Sequence, residues 1–260
     1  MKQRVLFIAL FMLILSFESN SLAHEYWTEA LNPKVNQKLT AIIGRGRYYP
    51  VLEEVKAENI PLRFLPPKVY GDNGELTLEQ GVIPREYVTI DTVGPGNYVI
   101  TTDTPGGFST RTKTGWSYDP KNKLEDAVHC SNYYRYGKEA IILGKAKYSG
   151  LAEKPVGQTL EFVPQADPSQ IKSGQPFPVK ILYKGQPLSG GEVTAVVAGV
   201  DQGHRAVFFR STTDKEGIVN IIPLIAGDWL ARVVVEEPYP DQKVCDQYNY
   251  TTTYTFKVIK

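Results

Sequence analysis

Three histidines and two cysteines are the only imidazole and thiol groups in this chain of 260 residues, so they bound the metal chemistry open to it. His24 follows Ser21-Leu22-Ala23, small and apolar residues that suit a peptidase cut. A cut after Ala23 makes His24 the first residue of the mature protein. One residue then offers a free α-amine and an imidazole, which together chelate a single ion. A cut after Ser21 instead leaves Leu22-Ala23-His24, and a histidine third from a free amine binds copper or nickel through the amine, two backbone amides and the ring. Nickel, cobalt and copper all accept imidazole and amine nitrogen, and Cu(II) and Ni(II) accept the tetragonal geometry such a site imposes. The amine must lose its proton to bind; its ordinary pKa of about 7.7–8.0 makes affinity rise with pH through that range.

His129 and His204 are the two other candidates. His129 precedes Cys130, and a His-Cys pair can supply nitrogen and sulfur; the plainer reading is a surface histidine beside a disulfide cysteine. His204 sits in Asp201-Gln-Gly-His-Arg, an expected loop tip between strands where a solvated ring is the simpler assignment. The cysteines, Cys130 and Cys245, form an even pair that permits one disulfide in an oxidising compartment, and two separate buried thiols are the alternative. No Gly-x-Ser-x-Gly elbow, no His-Glu-x-x-His and no phosphate-cradling glycine loop occurs, so neither nucleotide binding nor hydrolysis is indicated.

The segment before His24 reads as a secretory signal over residues 1–23. Lys2 and Arg4 form a positive start, and Val5 to Phe17 an apolar run of 13 residues, short of the roughly 20 that span a bilayer. The mature chain is expected to be periplasmic, with no membrane insertion. Removing Lys2, Arg4 and Glu18 takes the formal charge from +1 to zero. A neutral chain gives no electrostatic case for nucleic acid.

The elements that must position these groups read as strands. Twenty-two glycines and 18 prolines punctuate short apolar groups, with little helical spacing. Leu39-Thr-Ala-Ile-Ile-Gly, Arg85-Glu-Tyr-Val-Thr-Ile-Asp and Asn97-Tyr-Val-Ile-Thr-Thr-Asp fit strands in the first half. Lys123-Leu-Glu-Asp-Ala-Val-His-Cys is read as a helical turn or two. Phe177-Pro-Val-Lys-Ile-Leu-Tyr, Glu192-Val-Thr-Ala-Val-Val, Gly227-Asp-Trp-Leu-Ala-Arg-Val-Val-Val and Thr251-Thr-Thr-Tyr-Thr-Phe-Lys-Val alternate in the second half. The expectation is an all-β protein of two β-sandwich domains in tandem, an N-terminal one over residues 24–148 and an immunoglobulin-like one over 157–260, divided at the glycine- and proline-bearing stretch 149–156.

The second half carries an ordered set of short words: Gly157-Gln-Thr-Leu-Glu-Phe-Val-Pro, Asp167-Pro, Gly174-Gln-Pro-Phe-Pro-Val, Gly185-Gln-Pro-Leu, Thr213-Asp-Lys-Glu-Gly and Gly227-Asp-Trp. With His24-Glu-Tyr-Trp, Gly106-Gly-Phe to Gly115-Trp and Lys138-Glu-Ala to Gly144, they resemble a bacterial family of exported proteins labelled a domain of unknown function and associated with nickel and cobalt uptake. The resemblance implies a periplasmic, β-rich accessory to a metal-uptake transporter that binds nickel or cobalt, with copper as a further candidate ion. There is one departure: relatives place a Gly-His pair after the first long strand, where this chain has Gly44-Arg-Gly-Arg-Tyr-Tyr-Pro. A mature N-terminal histidine also resembles the copper brace of polysaccharide monooxygenases, but no motif beyond that histidine matches, and no enzyme activity is expected. A metal-free envelope module is the other alternative.

Overall fold

The computed structural model describes residues 24–54, 64–200 and 207–260. The expected signal segment and His204 lie outside the described residues. The first half contains β1 (Glu25–Ala30), β2 (Gln37–Gly46), β3 (Lys68–Gly71), β4 (Gly74–Leu76), β5 (Leu78–Gln80), β6 (Glu86–Val93), β7 (Gly96–Asp103), β8 (Gly107–Thr112), β9 (Trp116–Ser117) and β10 (Ala127–Leu143). The second half contains β11 (Leu160–Pro164), β12 (Phe177–Tyr183), β13 (Gln186–Pro187), β14 (Glu192–Val197), β15 (Phe209–Thr212), β16 (Ile218–Ile221), β17 (Gly227–Pro238) and β18 (Gln247–Val258). The protein is all-β, as the alternating patterns require. Among the described residues no helix is long and apolar enough to cross a membrane.

Three sheets form. A four-stranded sheet runs β1-β2-β6-β5, a ten-stranded sheet runs β15-β14-β17-β18-β10-β7-β3-β4 with β8 and β9 beside β10, and a second four-stranded sheet joins β11, β12, β13 and β16. The large sheet holds strands from both halves. Ser131–Glu139 of β10 pairs in parallel with Gln247–Thr255 of β18, so the two sandwiches share one central sheet.

Each face of that sheet is covered by one of the smaller sheets. On one face Phe177, Val179 and Ile181 of β12 pack with Val193, Ala195 and Val197 of β14 and with Trp229, Ala231 and Val233 of β17. The spacing of two residues is that of inward-facing strand positions. On the other face Leu39, Ala41 and Val93 meet Val69, Ile100 and Leu143. β18 lies between the two cores and divides its side chains accordingly. Tyr254 and Phe256 enter the first core, while Thr253 and Thr255 donate from their hydroxyls to the Tyr26 and Thr28 carbonyls of β1, each at 2.7 Å. Threonine suits that position because its methyl packs while its hydroxyl satisfies a β1 carbonyl that has no strand neighbour on that side. Gly137 lets β1 come this close: a Cβ there would sit 3.1 Å from the Thr28 nitrogen.

One expectation is corrected. The stretch Lys123 to Cys130 is not helical. A single 3-10 turn ends at Lys123, and β10 begins at Ala127, so His129 and Cys130 are strand residues paired with Arg111 and Thr110 of β8. Val128 and the tyrosines beyond it favour a pleated surface, and pairing on both edges of β10 outweighs the weak local helical pattern.

Candidate functional site

His24 is fixed by the two strands that follow it. β1 pairs with β2 in a register that sets Glu25 opposite Gly46 and Tyr26 opposite Arg45. The alternation in Gly44-Arg-Gly-Arg then has a physical reason on each face. On one face side chains cannot be accommodated: a Cβ at 44 would lie 1.9 Å from the Trp27 ring, and a Cβ at 46 would lie 2.0 Å from the Val51 carbonyl. Arg45 and Arg47 leave from the opposite face. Beyond β2 the chain turns, with Val51 N–H donating to the Tyr48 carbonyl at 2.8 Å, and comes back alongside, with Glu53 N–H donating to the Arg45 carbonyl at 2.9 Å. The Arg47 N–H in turn donates to Glu53 Oε1 at 3.2 Å.

This return sets the Glu53 carboxylate against the histidine, with His24 Nε2 2.7 Å from Glu53 Oε2. Arg45 Nη1 approaches the same carboxylate at 3.9 Å and Arg47 Nε at 3.6 Å. Arg85 Nη2 donates to the Glu53 carbonyl at 2.7 Å. Burial lowers the His24 pKa from its ordinary value; the Arg45 charge lowers it further, against the opposing pull of Glu53. Burial and the Arg45 charge thus favour the neutral ring. A carboxylate can only accept, so the neutral ring carries its proton on Nε2 and its lone pair on Nδ1.

That arrangement tests whether the residues present fit a metal. A ligating histidine ordinarily gives its other ring N–H to a carboxylate, which fixes the tautomer and the ring orientation. Glu53 does this for His24 and leaves Nδ1, the nitrogen nearer the backbone, without a hydrogen-bond partner among the described residues. The donor presented here is a single ring nitrogen. It does not form a cage of side chains, since among the described residues no three His, Cys, Asp or Glu gather to hold a metal.

The other described candidates sit elsewhere. His129 lies on β10, half-exposed, with Nδ1 3.7 Å from Asp246 Oδ2 and Nε2 3.4 Å from the Ser131 hydroxyl. Asp246 already accepts from Lys121 and from the Cys130 N–H. His24 and His129 thus have different carboxylate partners and share no group. Cys130 and Cys245 are joined by a disulfide with their Cα atoms 5.0 Å apart, so neither sulfur is free to bind an ion. Glu53, Arg45, Arg47 and Arg85 were not singled out from the sequence. Strand alternation beyond Gly44 would have put the two arginines on one face, but nothing local announced the return of Glu53.

A family described as a domain of unknown function (DUF4198) matches residues 21–237. No curated protein matches the chain. Among solved structures, the D0-D1 domain of intimin is 12% identical over 90% of this chain and 97% of its own, with a TM-score of 0.22. Fibronectin(III)-like modules of Clostridium thermocellum CbhA are 9% identical over 89% and 94%, with a TM-score of 0.20. Similarity at that level fixes nothing about what this chain binds.

Proposed function

The chain belongs to the DUF4198 family, and from that premise we propose that it is an exported metal-binding protein whose mature N-terminal His24 chelates nickel, cobalt or copper through its α-amine and Nδ1. One observation carries the reading: the Glu53 carboxylate holds Nε2 at 2.7 Å and so presents Nδ1 for ligation. Lowering of the His24 pKa by burial and by Arg45 supports it, because a neutral ring has no proton to displace. The ion is cargo rather than a resident cofactor. Two nitrogen ligands from one residue leave most of its coordination sphere to other groups, which suits capture and hand-over to a metal-uptake transporter better than permanent storage or catalysis. The site belongs in the periplasm, where the signal peptidase exposes the amine.

The deciding experiment is metal titration of the natively cleaved protein, its N-terminus confirmed by sequencing, beside the His24→Ala variant cleaved at the same bond. Saturable binding of Ni(II), Co(II) or Cu(II) to the native form, weakened at least tenfold by His24→Ala, is expected. No binding tighter than to buffer, or equal binding by both forms, overturns the reading and favours a metal-free envelope module.

A further inference from the structure

The disulfide between Cys130 and Cys245 sets two tripeptides side by side, His129-Cys130-Ser131 on β10 and Cys245-Asp246-Gln247 at the start of β18. Backbone bonds fix their offset. The Asp246 N–H donates to the Cys130 carbonyl at 3.2 Å, and the Cys130 N–H donates to Asp246 Oδ2 at 2.7 Å. The residues beside the disulfide then meet through their side chains. His129 Nδ1 faces Asp246 Oδ2 at 3.7 Å, and His129 Nε2 faces the Ser131 hydroxyl at 3.4 Å. Gln247 Nε2 reaches the same hydroxyl at 3.4 Å.

Carboxylate, imidazole and hydroxyl stand here in the order of a nucleophilic relay. A carboxylate only accepts, so in the neutral ring the proton lies on Nδ1 and the Nε2 lone pair is left for the Ser131 O–H. Burial opposes charge on Asp246, but Lys121 and the Cys130 N–H hold its carboxyl below the ordinary carboxylate range. Both contacts to the ring are longer than a strong hydrogen bond, as is common in such sites before substrate draws the groups together. The strand supports the placement. Ala127 faces Thr112 and His129 faces the next residue of β8, Arg111, so Val128 is an extra residue on β10. Bulges of this kind re-aim side chains beside functional sites. Ser131 is the cross-strand partner of Gln247, and Gln247 that of Pro238 on β17. Pro238, Asp246 and Gln247, with Glu236 and Tyr239, line an open groove of about 580 Å³, so room for a ligand begins beside the relay.

We propose that Ser131, His129 and Asp246 form a nucleophilic site that hydrolyses esters of short carboxylic acids, an activity separate from metal binding at His24. Ser131 Oγ bonds to the ester carbonyl carbon while its proton passes to His129 Nε2, and the carbonyl π pair moves onto oxygen, beside the Gln247 amide. That pair re-forms the carbonyl as the bond to the alcohol oxygen breaks, and His129 gives the departing alcohol its proton. Water then attacks the acyl-serine and loses a proton to His129. The acid leaves as Ser131 recovers its proton. Asp246 acts through the ring, as a positioning residue. An open groove suits a short acyl group, whereas a long chain needs an enclosed apolar pocket.

The test uses the disulfide-bonded mature protein in the presence of a chelator, so that no metal takes part. An alkyl fluorophosphonate, whose fluoride a nucleophilic serine displaces, should attach once, at Ser131, as located by peptide mass spectrometry. p-Nitrophenyl acetate should be hydrolysed with saturation. Ser131→Ala should abolish the label, and it and His129→Gln should each lower kcat/KM by about a hundredfold or more. Asp246→Asn should lower kcat at least tenfold with KM within twofold, and Asp246→Glu, which keeps the charge, should recover most of that loss. A merely structural Asp246 would make the two substitutions alike. Labelling of the unaltered protein needs no variant, so it decides the matter even where a substitution prevents folding. No label, a label elsewhere than Ser131, no saturable hydrolysis, or equal hydrolysis by Ser131→Ala overturns the proposal.

Discussion

Lys138 Nζ lies 2.8 Å from Glu161 Oε1 with both side chains closed off from solvent, one on β10 of the first half and the other on β11 of the second. Glu161 also accepts the backbone N–H groups of Val156 and Gly157 at 2.7 and 3.0 Å, so it pins the segment that joins the two halves.

Breaking this pair from either side leaves a buried charge behind, at a cost of about 3–5 kcal/mol. Glu161→Leu should cost more than Lys138→Met, because it strands an ammonium and two N–H donors, whereas the carboxylate left by Lys138→Met keeps both N–H bonds. The double variant should recover the part of the Glu161→Leu loss due to the stranded ammonium and keep the part due to the two unpaired N–H groups. Urea unfolding of the disulfide-bonded protein gives the ranking, and equal stability of the two single variants would contradict it.

Gly44→Ala should destabilise the fold by about 3 kcal/mol or more, because the new methyl would enter the Trp27 ring, which is wholly buried against Tyr49 and Leu230. Loss of the near-ultraviolet tryptophan dichroism together with a lower unfolding midpoint would show it. A variant as stable as the parent would mean that Trp27 does not occupy this place.

Stability should decline as pH rises from about 4.5 to about 8. Burial pushes the Glu139 carboxyl up from its ordinary 4.5 to about 8, and Glu29 and Asp228 add to the rise. The unfolded chain ionises first, so the stabilisation is whole below pH 4.5 and lost as pH climbs through 8. Glu29 is displaced in the same direction, by burial first. Glu139→Gln keeps an acceptor for the Ala30 N–H, which Glu139 binds at 2.5 Å. It should flatten this slope and stabilise the protein at pH 8.5 by on the order of 1–3 kcal/mol. Thermal melts of both proteins at pH 4.5, 6.5 and 8.5 measure the effect, and parallel slopes would exclude Glu139 as its source.

Glu53→Gln should lower the affinity of the natively cleaved protein for Ni(II) or Cu(II) by about 10- to 100-fold, the usual consequence of losing the partner that orients a ligating histidine. Glu54→Gln, one residue on and exposed, should change it less than twofold. Matched isotherms decide the point. Equal losses from both substitutions would reduce the role of Glu53 to general negative charge.

How far the sequence revealed these relationships depends on what each pattern encodes. Alternation in Phe177–Tyr183 and Glu192–Val197 reports which side chains face a core, and both segments are strands. Alternation does not name a strand's partner, so the parallel pairing of β10 with β18 across more than a hundred residues could not be read. Cys130 and Cys245 left their bond open for the same reason: sequence spacing alone does not show that two strand ends meet. At the site, His24 was visible from its place after Ala23. Glu53 was not, because its arrival depends on a return that Gly46 permits, and a glycine's role is read from the backbone that approaches it.

The parallel β10–β18 pair also has a consequence for assembly. β18 follows every other described strand in the chain, yet it lies in the middle of the ten-stranded sheet, with β17 on one side and β10 on the other. Until β18 is in place, β10 presents one edge of unpaired amides and carbonyls, and β1 lacks the threonine hydroxyls that hold its carbonyls. An incomplete chain is therefore left with an open seam that invites another strand, and closing it requires contacts between the two ends of the polypeptide, the kind that form slowly. A chain lacking β18 loses the centre of the sheet rather than its margin.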